Sequence, residues 1–541
     1  ATLLSRATAN SPIAIVRTIM FCALTASRAS ATSVSNHCGR HAKIARRRVK
    51  GRIAALPPAR VAATSANSQA VVASSSFTMG ALTADTAPTR EALAAEIAST
   101  ATAKRLRSEE AQWAEGAGPP HTNCKLRLFG QSEDKVRVTL YRDTAAWCPY
   151  CQKVWMMLEE KQIPYKIEKI NMRSYGDKPA WFLQKVPSGL LPVVEIDGEM
   201  VTESIVIMQI LEANFEGPRL CPAPGTPEFD EANALLKLER QLFGDWCNLI
   251  FRPSGGMGGL FGGGAKASFE KTLDKVEAAL AVHPDSPWLL GGDAPSLVDM
   301  QYISHVERML ASCLYWKGMQ LRKMERFPLL ENWLDAFEQR PSYQATKSDY
   351  YTHVKDIPPQ YGPGYADDGA QVEAATRAIG GLGSSWRLPL DLQSPGALEP
   401  LSPHMDPGEE VARHEAAYKL LSNLDAIVRF CCRAVGRPGA KRFGAQLADP
   451  YAEPDMAWEA EVDVMLRHVI SALVSGSALE GDAAAALTKD MGAEASNDRA
   501  KLASCLAYLR DRVGVPRDMS FPAAMQLRAH LNWAIDALST S

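Results

Sequence analysis

An α/β sandwich of about eighty residues, followed by two all-α regions, accounts for most of this 541-residue chain. Three observations lead there. From Val136 to Phe215, strand-period and helix-period stretches alternate and end in a hairpin pattern. Pro- and Gly-rich joints follow at 217–231 and 355–371. Past each joint, apolar residues recur at helical spacing.

The elements can be justified in order. VRVTLYRD, 136–143, alternates apolar and polar residues as a strand does. In AWCPYCQKVWMMLEE, 146–160, Val154, Trp155, Met157 and Leu158 make the apolar stripe of a helix. IPYKIEKIN, 163–171, reads as a second strand, and DKPAWFLQKV, 177–186, as a short helix. GLLPVVEIDGEMVTES, 189–204, reads as a hairpin turning at Asp197-Gly198. ESIVIMQILEANF, 203–215, closes the unit as an amphipathic helix. The order β-α-β-α-β-β-α is thioredoxin-like.

A helical region is expected over 228–350, with GGMGGLFGGGAK, 255–266, as a mobile loop inside it. In the last third, 408–435, 455–478, 494–513 and 521–539 have helical spacing between Pro and Gly breaks. The expected organisation is a leader over 1–84, a linker with a helix over 85–134, the α/β domain over 135–216, an all-α domain over 228–350, and a helical extension over 365–541.

Length alone suggests about three domains, and an apolar fraction of 46% is ample for their cores. A net charge of −2 argues against a nucleic-acid partner or a membrane surface. IAIVRTIMFCAL, the best apolar run, is short and carries Arg17, so no spanning helix is expected. The eleven cysteines have no framework spacing, which suits a reducing compartment. Residues 1–84 contain no Asp or Glu but eleven Arg and Lys, with abundant Ala, Ser and Thr, the composition of an organelle transit peptide. Met20 opens the better leader, so residues 1–19 are expected to lie outside the natural protein. Charge alone does not separate chloroplast from mitochondrion.

Cys148 and Cys151 are the chemistry-bearing pair. Structural zinc needs four ligands, and this chain has no second C-x-x-C, so no metal is expected. A thiol at the first turn of a helix sits where free backbone N–H groups and the helix dipole favour an anion, and the thiolate is the reactive species. Pro149 suits the first helical position, since its missing N–H would have had no partner there. Cys148 is therefore the nucleophile. Cys151, nearly one turn further in, is either a resolving thiol or a buried bystander. Leu191-Pro192 precedes a strand, as does the cis proline of thioredoxin-like folds that lets backbone pair with a peptide-like ligand. Glu203 and Ser204 open a helix. Either they cap it, or its amides and the Ser hydroxyl hold a carboxylate while Glu203 accepts from an α-amino group, an arrangement suited to a γ-glutamyl peptide.

WCPYC, DKPAWF, SGLLPVVEIDG, TESIVIMQIL and SLVDMQY together resemble the glutathione transferase superfamily over about 136–350. In SLVDMQY, Ser296 and Asp299 have the spacing of a capping box. The resemblance implies a thioredoxin-like domain followed by an all-α glutathione-transferase domain, with the 365–541 extension added. It also implies glutathione as co-substrate. A cysteine in the nucleophile place resembles the omega, lambda and dehydroascorbate-reductase-like classes, which transfer thiols more than they conjugate. Cys-Pro-Tyr-Cys with a long C-terminal extension is similar to the iota class of photosynthetic organisms, which favours the chloroplast over the mitochondrion. On that resemblance Cys148 carries glutathione and Cys151 resolves. Tyr150, Lys178, Leu191, Pro192, Glu203 and Ser204 line the glutathione site. Within it, Lys178 meets the glycine carboxylate and the Leu191 backbone meets the cysteinyl amide. Trp246, Phe243, Arg252 and Tyr302 are candidates for the electrophile pocket or for core packing. The implied partners are small electrophilic or disulfide substrates, and a homodimer is the candidate assembly. Glutathione conjugation, a non-catalytic binding scaffold and a thioredoxin-fed reductase are the alternatives.

Overall fold

A computed structural model of the chain describes residues 85–253, 262–394, 396–439, 445–489 and 496–540. They belong to one compact unit, Ala81–Ser541. The expected leader and residues 255–261 of the Gly-rich loop lie outside the described residues, and the rest of that loop, 262–266, opens a helix.

Two helices come first, α1 (Arg90–Ser99) and α2 (Ala101–Ala114), capped by Thr89 and Thr100. The sandwich then runs β1 (Leu126–Arg127), β2 (Val138–Asp143), α3 (Pro149–Glu160), β3 (Tyr165–Ile170), α4 (Ala180–Lys185), β4 (Val193–Ile196), β5 (Glu199–Thr202) and α5 (Ser204–Asn214). Its sheet is ordered β1-β3-β2-β4-β5. β2 pairs parallel with β3 and antiparallel with β4, and β4 pairs antiparallel with β5. The two-residue hairpin turn has positive φ at both Asp197 (51°) and Gly198 (85°), as a type I′ turn requires. The thioredoxin-like order expected from the sequence is thus present. Strand β1, antiparallel to β3, adds an edge that two residues of sequence could not signal.

The all-α domain contains α6 (Pro227–Ile250), α7 (Gly262–Leu280), α8 (Leu297–Lys317), α9 (Pro328–Glu338), α10 (Pro341–Gln344) and α11 (Tyr350–Tyr361). Helix α8 is buried over nearly its whole length and begins with the expected capping box. Asp299 accepts from the Ser296 amide at 2.8 Å, and its other oxygen accepts from the Leu289 amide and the Trp333 indole, both at 2.9 Å. The second joint begins later than its prolines suggest, because α11 continues through Pro358 and Pro359 to Tyr361.

The extension is helical: α12 (Ala370–Ile379), α13 (Glu409–Ser422), α14 (Leu424–Cys431), α15 (Glu459–Ser475), α16 (Gly481–Lys489), α17 (Ser496–Arg510) and α18 (Phe521–Thr540). Its core differs from expectation in one respect. Leu93, Ile97, Ala103 and Leu106, read as linker, pack into the same apolar cluster as Val462, Leu466 and Leu527. Arg467 fixes the segment before α1, donating to the carbonyls of Ala87 and Pro88 and pairing with Asp85 at 2.6 Å. No local pattern could reveal a partner more than 300 residues downstream.

Fully buried Asp349 and Arg528 pair at 2.6 Å and tie α11 to α18. Asp349 also caps α11 by accepting from the Thr352 amide. The Val515 amide donates to Thr352 Oγ1, and Tyr351 donates to the Asp511 carbonyl. Among the described residues no helix is long and apolar enough to cross a membrane.

Candidate active site

Strand β2 ends at Asp143, and a short turn delivers Cys148 as the N-cap of α3, with Pro149 at the first helical position. Cys148 is half-buried and Cys151 is buried, and both are free thiols. Cys148 Sγ lies 3.9 Å from the Leu191 carbonyl, and the Leu191–Pro192 bond is cis. The Cys151 thiol is pushed well above its ordinary range by burial, by Cys148 and by the negative charge of Asp143. A carboxylate oxygen of Asp143 and the two Sγ atoms lie within 4.8 Å of one another. Among the described residues no fourth His, Cys, Asp or Glu joins them to close a structural zinc shell.

The other candidates are arranged around this centre to different degrees. Lys178 is half-buried, and its Nζ donates to the Asn171 carbonyl at 2.6 Å. Burial lowers the pKa of this ammonium, against the pull of Cys151 and Cys148. Glu203 follows β5 as the N-cap of α5 with φ of 68°, and Ser204 is the first residue of that helix. Left-handed backbone in a residue with a side chain costs about 1–2 kcal/mol, and such outliers collect at functional positions. The Glu203 side chain is exposed, which leaves its carboxylate open to a ligand. Tyr150 faces the all-α domain, edge-on to His305 at 5.4 Å between ring centres, and burial pushes its hydroxyl up to about 12.

Of the electrophile-pocket candidates, two serve the core. Trp246 is fully buried and donates to Ser312 Oγ at 2.8 Å, while Tyr302 donates to the Leu235 carbonyl at 2.7 Å. Phe243 lies 4.7 Å from His305 and 6.2 Å from Tyr361, facing the Tyr150 side of the site. Arg252 is exposed.

A buried polar network behind the cysteine turn escaped the sequence reading. The Trp147 indole donates to His353 Nδ1 at 3.0 Å, and His353 Nε2 meets Glu307 Oε1 at 2.8 Å. An indole N–H can only donate, so His353 is neutral with its proton on Nε2. Burial pulls the His353 pKa down, against Glu307. Burial alone would raise the Glu307 carboxyl, yet the hydrogen bond from His353, together with the Arg308 charge and Gln152, holds it at about 2. Gln152 of α3 donates to Glu307 Oε2 at 2.8 Å and accepts from Arg308 at 2.9 Å, while Arg308 also bonds the Trp147 carbonyl. The motif is thereby locked to α8 and α11. These partners lie about 150–200 residues away, so spacing carried no signal. Asp143 was also missed, although an acid closing an apolar strand five residues before the nucleophile could have found it.

Models of the glutathione S-transferase N-terminal and C-terminal domains match residues 147–214 and 232–336. Glutathione S-transferase DHAR3, chloroplastic, of Arabidopsis thaliana is 42% identical over 202 residues, covering 69% of that protein and 37% of this chain. This chain belongs to the glutathione S-transferase family. The transferase is also 32% identical to Protein IN2-1 homolog A of Oryza sativa subsp. japonica over 213 residues, which cover 78% of that protein and 38% of this one. It is 28% identical to glutathione S-transferase DHAR2 of Arabidopsis thaliana over 206 residues, 86% of that protein and 38% of this one.

Proposed function

We propose that this transferase is a glutathione-dependent thiol transferase that works through a mixed disulfide on Cys148. The observation that carries the reading is the half-buried Cys148 thiol at the N-terminus of α3, 3.9 Å from the carbonyl before cis-Pro192. A helix N-terminus presents free backbone N–H groups that can hold an anion. In the first step that thiolate attacks the glutathione sulfur of a glutathionylated thiol. The bond to the substrate sulfur breaks, and the substrate leaves as a thiolate that takes up a proton. A second glutathione then attacks the glutathione sulfur, forming glutathione disulfide and freeing the Cys148 thiolate, or Cys151 attacks Cys148 Sγ and releases the bound glutathione. Dehydroascorbate is a further candidate oxidant, in line with the relatives named DHAR.

In this reading residues 135–216 form the glutathione-binding domain, 228–350 the all-α transferase domain and 365–541 an added helical extension. Glutathione lies along the Leu191 backbone, with its γ-glutamyl end at Glu203 and Ser204. Lys178 meets the glycine carboxylate by giving up Asn171. The Cys-Pro-Tyr-Cys motif and the extension support an iota-like class. The acid-poor leader, with a chloroplastic relative, supports the chloroplast.

The test is glutathione-dependent reduction of a glutathionylated peptide by wild type, Cys148→Ser and Cys151→Ser. Loss of turnover in Cys148→Ser with a surviving monothiol route in Cys151→Ser is the expected result. Full activity in Cys148→Ser would sink the proposal.

A further inference from the structure

Asp143 ends β2 beneath the two thiols and is only 1% exposed. Its Oδ2 accepts from the Trp147 amide at 2.7 Å, whereas its Oδ1 is buried without a hydrogen-bond partner. An unpaired buried oxygen is costly and calls for an explanation. The groups facing Asp143 do not satisfy it. Arg142 donates through its two terminal nitrogens to the Asp143 and Thr122 carbonyls, leaves Nε unpaired and acts on Asp143 and Cys151 through its charge, and Lys178 gives its ammonium to Asn171. Lys169 on β3 and Asp356 on α11 act on it through charge. Cys148 and Cys151 complete its surroundings, with both sulfurs within 4.8 Å.

We propose that Asp143 is the proton carrier for Cys151, taking the thiol proton as Cys151 attacks the Cys148–glutathione disulfide. The inference rests on the reading that Cys148 carries glutathione, and it makes the pair a working dithiol. The attacking species must be a thiolate, and the Cys151 thiol is held well above its ordinary range. Loss of its proton to water would place a second negative charge beside the carboxylate in a buried site, where like charges repel strongly. Transfer to Asp143 moves the single charge instead. The Cys151–Cys148 bond then forms, the Cys148–glutathione bond breaks, and glutathione leaves with the electron pair and picks up a proton. The resulting enzyme disulfide is reduced by two further glutathione thiols, which the reaction already consumes.

The test is a single turnover of the full-length, pre-reduced protein with one equivalent of glutathionylated peptide and no free glutathione. Peptide thiol reports formation of the mixed disulfide, and free glutathione reports its resolution. Wild type should release both, and Cys151→Ser should stop at the mixed disulfide. In Asp143→Asn the ratio of glutathione release to peptide release should fall about 100-fold, a usual contribution for a general base. The deficit should close about tenfold per pH unit between pH 7 and 9, as hydroxide replaces the carboxylate. An unchanged ratio in Asp143→Asn overturns the proposal. Should that variant not fold, wild type alone decides: release that is level across pH 7–9 supports the carrier, and a tenfold rise per unit refutes it. If wild type forms no mixed disulfide at all, the thiol-transfer reading falls as well, which the peptide signal distinguishes.

Discussion

Two pairs of cysteines sit at helix ends in this molecule, and the ends are opposite ones. Cys148 precedes the first residue of α3, whereas Cys431 is the last residue of α14, with Cys432 beside it. Unpaired N–H groups and the positive end of the dipole lie at the first place, and unpaired carbonyls and the negative end at the second. Burial pushes Cys431 well above its ordinary value, with Cys505 and Cys432 adding to it. Cys432 is pushed up to about 11 by burial and by Glu459, Asp455 and Glu461, and Cys505 to about 12 by burial, Cys432 and Asp455. One side chain thus does two jobs. At the start of a helix it is poised for chemistry, and in a helical core it is a small apolar filler.

The sharpest way to break this contrast is substitution. Cys148→Ser should lower deglutathionylating turnover by about 10³-fold or more, as loss of a nucleophile does, while Cys431→Ser and Cys432→Ser leave turnover near wild type. A comparable loss in either terminal variant would erase the distinction. Alkylation comes next in size. At pH 7 a thiol of pKa about 11 is ionised in only about one molecule in 10⁴, so iodoacetamide followed by peptide mass mapping should label Cys148 long before Cys432 or Cys505. Equal rates would contradict the contrast.

The stability of the terminal core can be probed by chemical unfolding. Asp349→Ala leaves Arg528 charged and buried, and should cost about 3–5 kcal/mol, whereas Cys432→Ala should cost only about 1 kcal/mol. A small effect in Asp349→Ala would mean that α18 is held by packing rather than by this pair.

A smaller effect concerns pH. His353 has a folded pKa below its unfolded value of about 6.5, so its contribution is present above that pH and is lost as pH falls through and below it. Glu307, held at about 2, loses its own contribution only at lower pH, between about 4.5 and 2. His353→Gln should therefore flatten the fall of the melting temperature between pH 7 and 5. An identical slope in wild type and variant would remove His353 as a cause.

The local part of the fold was legible. Asp197-Gly198 named its turn, Ser296 and Asp299 named their cap, and Pro149 marked the start of α3, because each works through neighbours one to three residues away. The terminal helices were also legible, since their periodicity is local. The packing of α1 and α2 was not, because the face that covers Leu93 and Ile97 is built from residues near 465 and 527. The candidate site divides in the same way. Cys148, Pro192 and Glu203 stand out by motif, whereas the Trp147–His353–Glu307 chain joins three segments that share no pattern. Asp143 is readable as an acid closing β2 five residues before Cys148, but its unpaired oxygen is visible only in the structure.

The union of α1 and α2 with the last helices also has a consequence for how the chain folds during synthesis. More than 400 residues follow Leu106, so at about 5–20 residues per second the apolar faces of α1 and α2 wait roughly 20–90 seconds for α18 to emerge. The α/β sandwich and the all-α domain can close in the meantime, since their partners are already made. The α1–α2 segment is therefore made early but is among the last to find its place, and until then Leu93, Ile97 and Leu106 are exposed to whatever binds nascent apolar surface.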